Sequence, residues 1–317
     1  MSKIAPRIIF MGTPEYAVPY LEGLIASGLK PEAVISQPDR PVGRKQTIEP
    51  TPVKMAALKY GIPVLQPENL RDHEWIEKIH SLKPDVIVVV AFGQIIPKSL
   101  LAIPPRGCVN VHPSLLPYHR GPSPLQEAIL RGDTNGGVTI MLMDEKVDHG
   151  PLLHQASFPI DANETYETLR EKTTSCGVPL LTATLRDWLV EKITPQMQDD
   201  DEATFSRLLT RDSGKISWEL SSDDIERSVR ALNPWPGTWT TCKDKRVKIL
   251  EAYSIPTMIS DHERGTLFQT TDKQNQLFIA CGIGTLSISR LQLEGKKVLS
   301  AKDFIAGHQG LIGSTCV

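Results

Sequence analysis

At 317 residues, with 40% apolar and 23% charged, the chain has the balance of a water-soluble globular protein and exceeds the usual length of one domain, so two domains are expected. Its longest apolar stretch, within Asp85–Gly93, is far short of the ~20 residues of a membrane span, and the start at Met1 lacks the pattern of a cleaved secretion signal; no membrane partner and a cytoplasmic location are expected. Charge is nearly balanced, 35 Lys and Arg against 37 Asp and Glu, which by itself gives no sign of nucleic acid. Its distribution is uneven, with 20 basic and 25 acidic residues in 1–205 against 15 and 12 in 206–317, so the mildly positive C-terminal part is compatible with a phosphate-contacting surface.

Arg7 to Met11 is a short apolar run, stopped by Gly12-Thr13-Pro14 and followed by Leu21, Leu24 and Ile25 at helical spacing before Gly28. This reads as strand, turn and helix. The cadence repeats: strand at Glu32–Ser36, helix at Pro52–Tyr60, strand at Pro63–Leu65, helix at Glu74–Leu82, strand at Asp85–Phe92. Such alternation predicts a parallel sheet flanked by helices, and the run Val86–Val90, apolar at every position, predicts a strand covered on both faces. A strand at Cys108–His112, a stiff loop at Pro113–Pro117, a helix at Gln126–Arg131 and a strand at Gly137–Met143 follow. Thr165–Val190 carries a long helical pattern with interruptions possible at Gly177 and Pro179. A Rossmann-like α/β domain is thus expected over 1–191. Residues 192–206, with the charge run Asp199–Glu202 and few apolar anchors, read as a solvated linker with no role beyond joining. In 207–317 one amphipathic helix, Asp223–Leu232, precedes short strands at Arg246–Leu250, Gly265–Phe268, Leu277–Ala280 and Thr285–Ser289. This predicts a small C-terminal OB-like β-barrel, with an SH3-like or other β-roll as the alternative.

In a parallel α/β sheet, ligands collect at the carboxyl ends of strands. Asn110 and His112, two apart on one strand, share a face, so an amide and an imidazole converge there. An amide N–H stabilises a developing oxyanion, and an imidazole exchanges protons near neutral pH. Asp148, after the next strand, is placed to orient His112 and favour its charged form. Spacing alone equally allows that Asn110 and His112 tie down the loop and that Asp148 caps the turn before Gly150. His119 and His149 beside His112 and Asp148 invite a metal reading, but no H-x-H, H-x-x-x-H or H-E-x-x-H spacing supports it, so no metal is expected. Gly12-Thr13-Pro14 matches neither glycine-rich nucleotide motif. The five cysteines, Cys108, Cys176, Cys242, Cys281 and Cys316, form no C-x-x-C pair and read as reduced structural thiols. The connection holding Arg40, Arg44 and Lys45 is about fifteen residues long where such units use about two to six. It is expected to be mobile, its cations meeting phosphates once ordered by a partner.

Taken together these segments resemble the methionyl-tRNA formyltransferase family almost end to end. The resemblance is carried by Arg7–Pro14, Gln37–Arg44, Val109–Pro117, Arg120-Gly121, Gly137–Met141, Asp148-x-Gly150 and Asn233-Pro-Trp-Pro-Gly237. The Asn-x-His-x-Ser-Leu-Leu-Pro element also belongs to related folate enzymes; the Pro-Asp-Arg-Pro loop and the C-terminal β domain make the distinction. The resemblance implies Asn110, His112 and Asp148 as a catalytic trio and Ser114, Leu115, Leu116 and Pro117 as lining of a folate pocket. It further implies that main-chain groups around Phe92, Met141 and Val147 hold the pterin, and that Arg44 reaches the tRNA acceptor end. Lys243, Lys245, Arg246 and Lys248 are expected to contact the tRNA backbone. The implied reaction is attack of the α-amine of methionyl initiator tRNA on the formyl carbon at N10 of 10-formyltetrahydrofolate, with Asn110 and protonated His112 at the oxyanion and Asp148 holding His112. A monomer is the default. Two positions depart from the family pattern: Arg120-Gly-Pro-Ser-Pro124 stands where Arg-Gly-Ala-Ala-Pro is common, and Asp148-His149-Gly150 where Asp-Thr-Gly is common. The rival readings are formyl transfer to a small amine and a non-enzymatic RNA-binding module.

Overall fold

Ile8–Gly12 forms the first strand, β1, with all five residues buried, in the computed structural model, which describes residues 6–43, 46–270 and 276–317. Helix α1 (Val18–Ala26), strand β2 (Ala33–Ile35), helix α2 (after the hairpin described below, Pro52–Lys59), the short strand Val64–Leu65, helix His73–Ser81 and the strand Val86–Val90 continue the alternation. The long basic connection is not a bare loop. Arg40–Val42 (β3) and Thr47–Glu49 (β4) pair as an antiparallel hairpin, while Arg44 and Lys45 lie outside the described residues.

With Val64–Leu65 as β5 and Val86–Val90 as β6, the later strands are β7 (Cys108–His112), β8 (Asn135–Leu142) and β9 (Leu152–Pro159). They join in one sheet of order β5-β2-β1-β6-β7-β8-β9. The first five strands are parallel, but β8 runs antiparallel to β7, and β9 to β8, so the sheet is parallel only in part. Both faces are covered, as unbroken apolar strands require. Ile8, Phe10, Val86, Val88, Val109 and Val111 pack on one side with Tyr20, Leu24, Leu181 and Leu185; Ile9, Met11, Ile87, Val89 and Cys108 pack on the other with Ile79 and Leu100. Side chains two apart share a face, so Asn110 and His112 continue the face that Cys108 begins.

Tyr166–Leu189 is one unbroken helix of 24 residues despite Pro179. A proline costs the helix one hydrogen bond, and packing outweighs that loss: Leu181 and Leu185 are fully buried, and a Cβ at Gly177 would lie 2.4 Å from the Tyr20 hydroxyl.

The chain divides into two units, the first made of residues 1–124, 135–159 and 170–206, the second of 125–134, 160–169 and 207–317. In the second, a helix Ser222–Leu232 is capped by Ser221, which accepts from the Asp224 N–H at 3.1 Å, and buries Ile225, Val229 and Leu232. Beside it lies a curled antiparallel sheet of β10 (Thr238–Cys242), β11 (Lys245–Ile255), β12 (Leu267–Gln269), β13 (Leu277–Ala280), β14 (Thr285–Leu293) and β15 (Val298–Ser300), in the order β10-β11-β14-β13-β12, with β15 on β14. Lys243 and Asp244, both at positive φ (45° and 61°), make the two-residue turn between β10 and β11. Thr241 exchanges both backbone bonds with Val317, and Leu267 donates to Ser314, so residues 313–317 bond to both edge strands. This pairing also corrects the reading of the cysteines: Cys242 and Cys316 face each other across an antiparallel bridge, Cα to Cα 4.4 Å, and form a disulfide. Seventy-four residues separate them, so no local spacing could reveal the pair. Cys108 and Cys281 are free, and burial pushes each thiol up to about 12. Among the described residues no helix is long and apolar enough to cross a membrane.

Candidate active site

Strand β7 is the foundation of the site. His112, only 3% exposed, ends it, and its Nε2 lies 3.0 Å from the His119 carbonyl oxygen, to which the ring N–H donates. Its Nδ1 lies 3.6 Å from Asp148 Oδ2. Asn110 donates from Nδ2 to Asp148 Oδ1 at 3.5 Å. An amide, an imidazole and a carboxylate thus come together on one face of the sheet. Burial pulls the His112 imidazolium below its ordinary range, a shift that the Asp148 carboxylate and the His119 carbonyl oppose. Desolvation thus favours the neutral imidazole, while the carboxylate favours the protonated form that the resemblance implies.

Asp148 reaches His112 by an indirect route. Because β8 is antiparallel to β7, Leu142 lies beside Val109, and the turn 143–151 leaves the sheet near the start of β7 rather than its end. The carboxylate then meets Asn110 and His112 across their shared face. Its Oδ2 also accepts from the Gly121 N–H at 2.7 Å. Asp148 itself sits at φ +49°, a left-handed conformation that holds only where surroundings enforce it. Gly150 permits the close turn: a Cβ there would lie 2.0 Å from the Leu142 carbonyl oxygen.

The loop after β7 is pinned by polar bonds. Ser114 Oγ donates to the Tyr118 carbonyl at 2.6 Å, and Thr139 Oγ1 donates to the Ser114 carbonyl at 2.6 Å and accepts from Leu116 N–H at 3.1 Å. Gln155 Nε2 holds the Leu116 carbonyl at 2.8 Å. Leu115 seats against Gly137, where a Cβ would come within 2.3 Å of its Cδ2. The Leu116–Pro117 peptide is cis. Phe92 is buried, and its carbonyl accepts from Thr13 Oγ1 at 2.7 Å and Gln37 Nε2 at 3.3 Å. Met141 is buried opposite Asn110 in the β7–β8 ladder, and Val147 is 64% exposed on the turn before Asp148.

Residues 6–185 match the formyl transferase family model, and residues 208–309 match that of the formyl transferase C-terminal domain. This chain belongs to the formyl transferase family. Relatives named methionyl-tRNA formyltransferase include those of Citrifermentans bemidjiense, 43% identical over 97% of this chain and 96% of the relative, and Enterococcus faecalis, 44% identical over 95% and 96%. Among solved structures, an N-formyltransferase from Helicobacter canadensis in complex with folinic acid and dTDP-3-aminofucose shares the fold at TM-score 0.66 and 19% identity, covering 89% of this chain and 98% of that one. HypX from Aquifex aeolicus in complex with tetrahydrofolic acid does so at TM-score 0.66 and 17% identity, covering 98% of this chain and 48% of that one.

The cations of this formyl transferase are dispersed. Arg40 pairs with Glu68 at 2.8 Å. In the second unit, β11 turns Val247 and Ile249 inward and leaves Arg246 and Lys248 outward; Arg246 stacks 3.8 Å over the Trp239 ring. Lys245 and Lys248 are exposed, and Lys243 donates to the Gly310 carbonyl at 2.6 Å. Sequence reasoning missed Gln155 and Gln198, polar residues without a motif, and gave Thr139 no role within Gly137–Met141; each is revealed by the bonds it makes on folding. It also misread 192–206. Far from a solvated connection, the segment bonds along the loops that follow β7 and β8: Gln196 exchanges both backbone bonds with Leu152, Thr204 donates to the Pro117 carbonyl at 3.2 Å, and Ser206 donates to that of Arg120 at 2.8 Å. Backbone pairing of this kind carries no apolar periodicity.

Proposed function

We propose that the chain transfers the formyl group of 10-formyltetrahydrofolate to the α-amine of methionyl initiator tRNA, with Asn110, His112 and Asp148 as its catalytic residues. The observation that carries this is the meeting of those three groups within 3.6 Å around a nearly water-free imidazole. The relatives' shared name supports the tRNA acceptor, and the folate ligands of the Helicobacter canadensis and Aquifex aeolicus structures support a folate-derived donor.

Neutral His112 takes the proton that the attacking amine must lose. The resulting imidazolium faces Asp148, whose charge stabilises it, and hands that proton to N10 as the bond between the formyl carbon and N10 breaks, so that tetrahydrofolate leaves and His112 is neutral again. Asn110 has two amide N–H groups, and among the described residues only Asp148 accepts from them, at 3.5 Å, so a donor remains for the oxyanion that develops as the carbon–nitrogen bond forms. The donor set fits a formyl group, since it holds one amide donor and one proton carrier side by side. The loop Ser114–Pro117, made rigid by Thr139 and Gln155, lines the folate pocket with main-chain groups near Phe92, Met141 and Val147. In this reading 1–191 is the catalytic domain, 207–317 is an OB-like barrel completed by residues 313–317, and Arg40, Arg44, Lys45, Lys243, Lys245, Arg246 and Lys248 meet tRNA phosphates.

The test offers labelled formyl-folate with methionyl initiator tRNA, uncharged tRNA or an amino-sugar nucleotide. Label on the charged tRNA alone is the expected result. Label on the amino sugar would move the assignment to a small-amine transferase, and binding without turnover to an RNA-binding module. Arg44→Ala should impair reaction with charged tRNA and leave folate binding intact.

A further inference from the structure

The strap 196–206 ties together the two loops that carry the site, and its bonds converge on the backbone of Asp148. Gln198 Nε2 donates to two carbonyl oxygens of one turn, Asp148 at 2.9 Å and Gly150 at 2.8 Å. Its Oε1 accepts from Arg120 Nε at 3.0 Å. Arg120 is 3% exposed, and its Nη2 donates to Asp200 Oδ1 at 2.8 Å. Asp200 Oδ2 lies 3.3 Å from His149 Nε2, and His149 Nδ1 meets Asp144 Oδ2 at 2.5 Å. The Arg120 bond, with help from His149, holds the Asp200 carboxyl below its usual range. On the other loop, Thr204 accepts from the His119 N–H through Oγ1 at 2.8 Å, and His119 supplies the carbonyl that holds His112.

We propose that the strap is part of the catalytic apparatus, with Gln198 and Arg120 as positioning residues that lock the Asp148–Gly150 turn and so aim the Asp148 carboxylate at His112. This rests on the trio assigned above. Asp148 occupies a left-handed backbone conformation, which persists only where neighbours over-determine it. One amide bridging the carbonyls on either side of His149 supplies that constraint. A buried guanidinium in turn fixes the amide, since its planar fork spans Gln198 and Asp200 at once. His149 joins the strap to Asp144 at the start of the same turn, so the turn is held at both ends.

The test measures single-turnover formyl transfer for Gln198→Met, which keeps the volume of the side chain and removes its donor and acceptor. A misaimed carboxylate should lower the rate about tenfold to a hundredfold, with KM for donor and charged tRNA unchanged. It should also move the acidic limb of the pH–rate profile to lower pH. The titratable groups around His112 are Asp148, which raises it, and His119, which lowers it, so a carboxylate that drifts away leaves the imidazole easier to deprotonate. A merely structural loss would lower the rate and leave the limb in place. Asp200→Ala, at a side chain 57% exposed and safe for folding, should show the same two changes more weakly. Parent-like rate and profile in both variants would overturn the proposal. Asp148→Asn in the same series separates the two readings: if it is inactive while Gln198→Met behaves as the parent, the strap proposal alone fails, and if it is active, the trio fails and the strap proposal with it.

Discussion

The face of β7 and the outer face of β11 both gather polar side chains, but by opposite physics. On β7 a nearly water-free imidazole depends on a carboxylate and a carbonyl that other loops deliver, so each partner is individually decisive. On β11, Lys245 and Lys248 are exposed, and Arg246 is engaged with Trp239. Exposed charges are screened by solvent and act through their sum. Burial therefore makes single contacts decisive, and exposure spreads an electrostatic effect over many.

The strongest way to break this contrast is His112→Ala, expected to lower formyl transfer by about a hundredfold to ten-thousandfold while leaving the fold intact by circular dichroism. Should the variant transfer labelled formyl at the parent rate, the buried corner would not be the reacting one. Asn110→Ala comes next, with a loss of about a hundredfold to a thousandfold carried by the rate and not by KM. A pH profile sharpens the picture further. If neutral His112 is the base, kcat/KM rises with pH along a limb centred below the ordinary imidazole range, because burial disfavours the protonated form; a limb above that range would reverse the roles. Gly137→Ala forces a methyl against Leu115 and the Ala156 carbonyl, and thermal unfolding should register about 1–3 kcal/mol of lost stability. Smallest is Lys248→Ala, expected to weaken charged-tRNA binding only a few-fold and to reduce the slope of log affinity against log salt by about one. A loss comparable to that of His112→Ala would erase the distinction between the two faces.

Local pattern was legible where burial imposes a period. The runs Ile8–Gly12 and Val86–Val90 show their coverage on both faces, and two-residue spacing alone places Asn110 and His112 side by side. The hairpin Arg40–Val42 with Thr47–Glu49 was not legible, since its exposed β4 strand leaves no apolar alternation to read. Pro179 suggested a break that helix packing overrode.

What the amino-acid order determined by itself is those strands and helices that burial marks with a period, and which side chains each presents, because 2.0- and 3.6-residue periods are properties of the local backbone. What only tertiary structure decided is which of those faces meet. The reversal of β8, the return of Asp148 to His112, the bond between Cys242 and Cys316, and the capture of residues 196–206 by the loops after β7 and β8 all join groups far apart in the chain. Hydrogen bonds and polar pairs of that kind are made one partner at a time and repeat at no interval, so they leave no trace until the chain has folded.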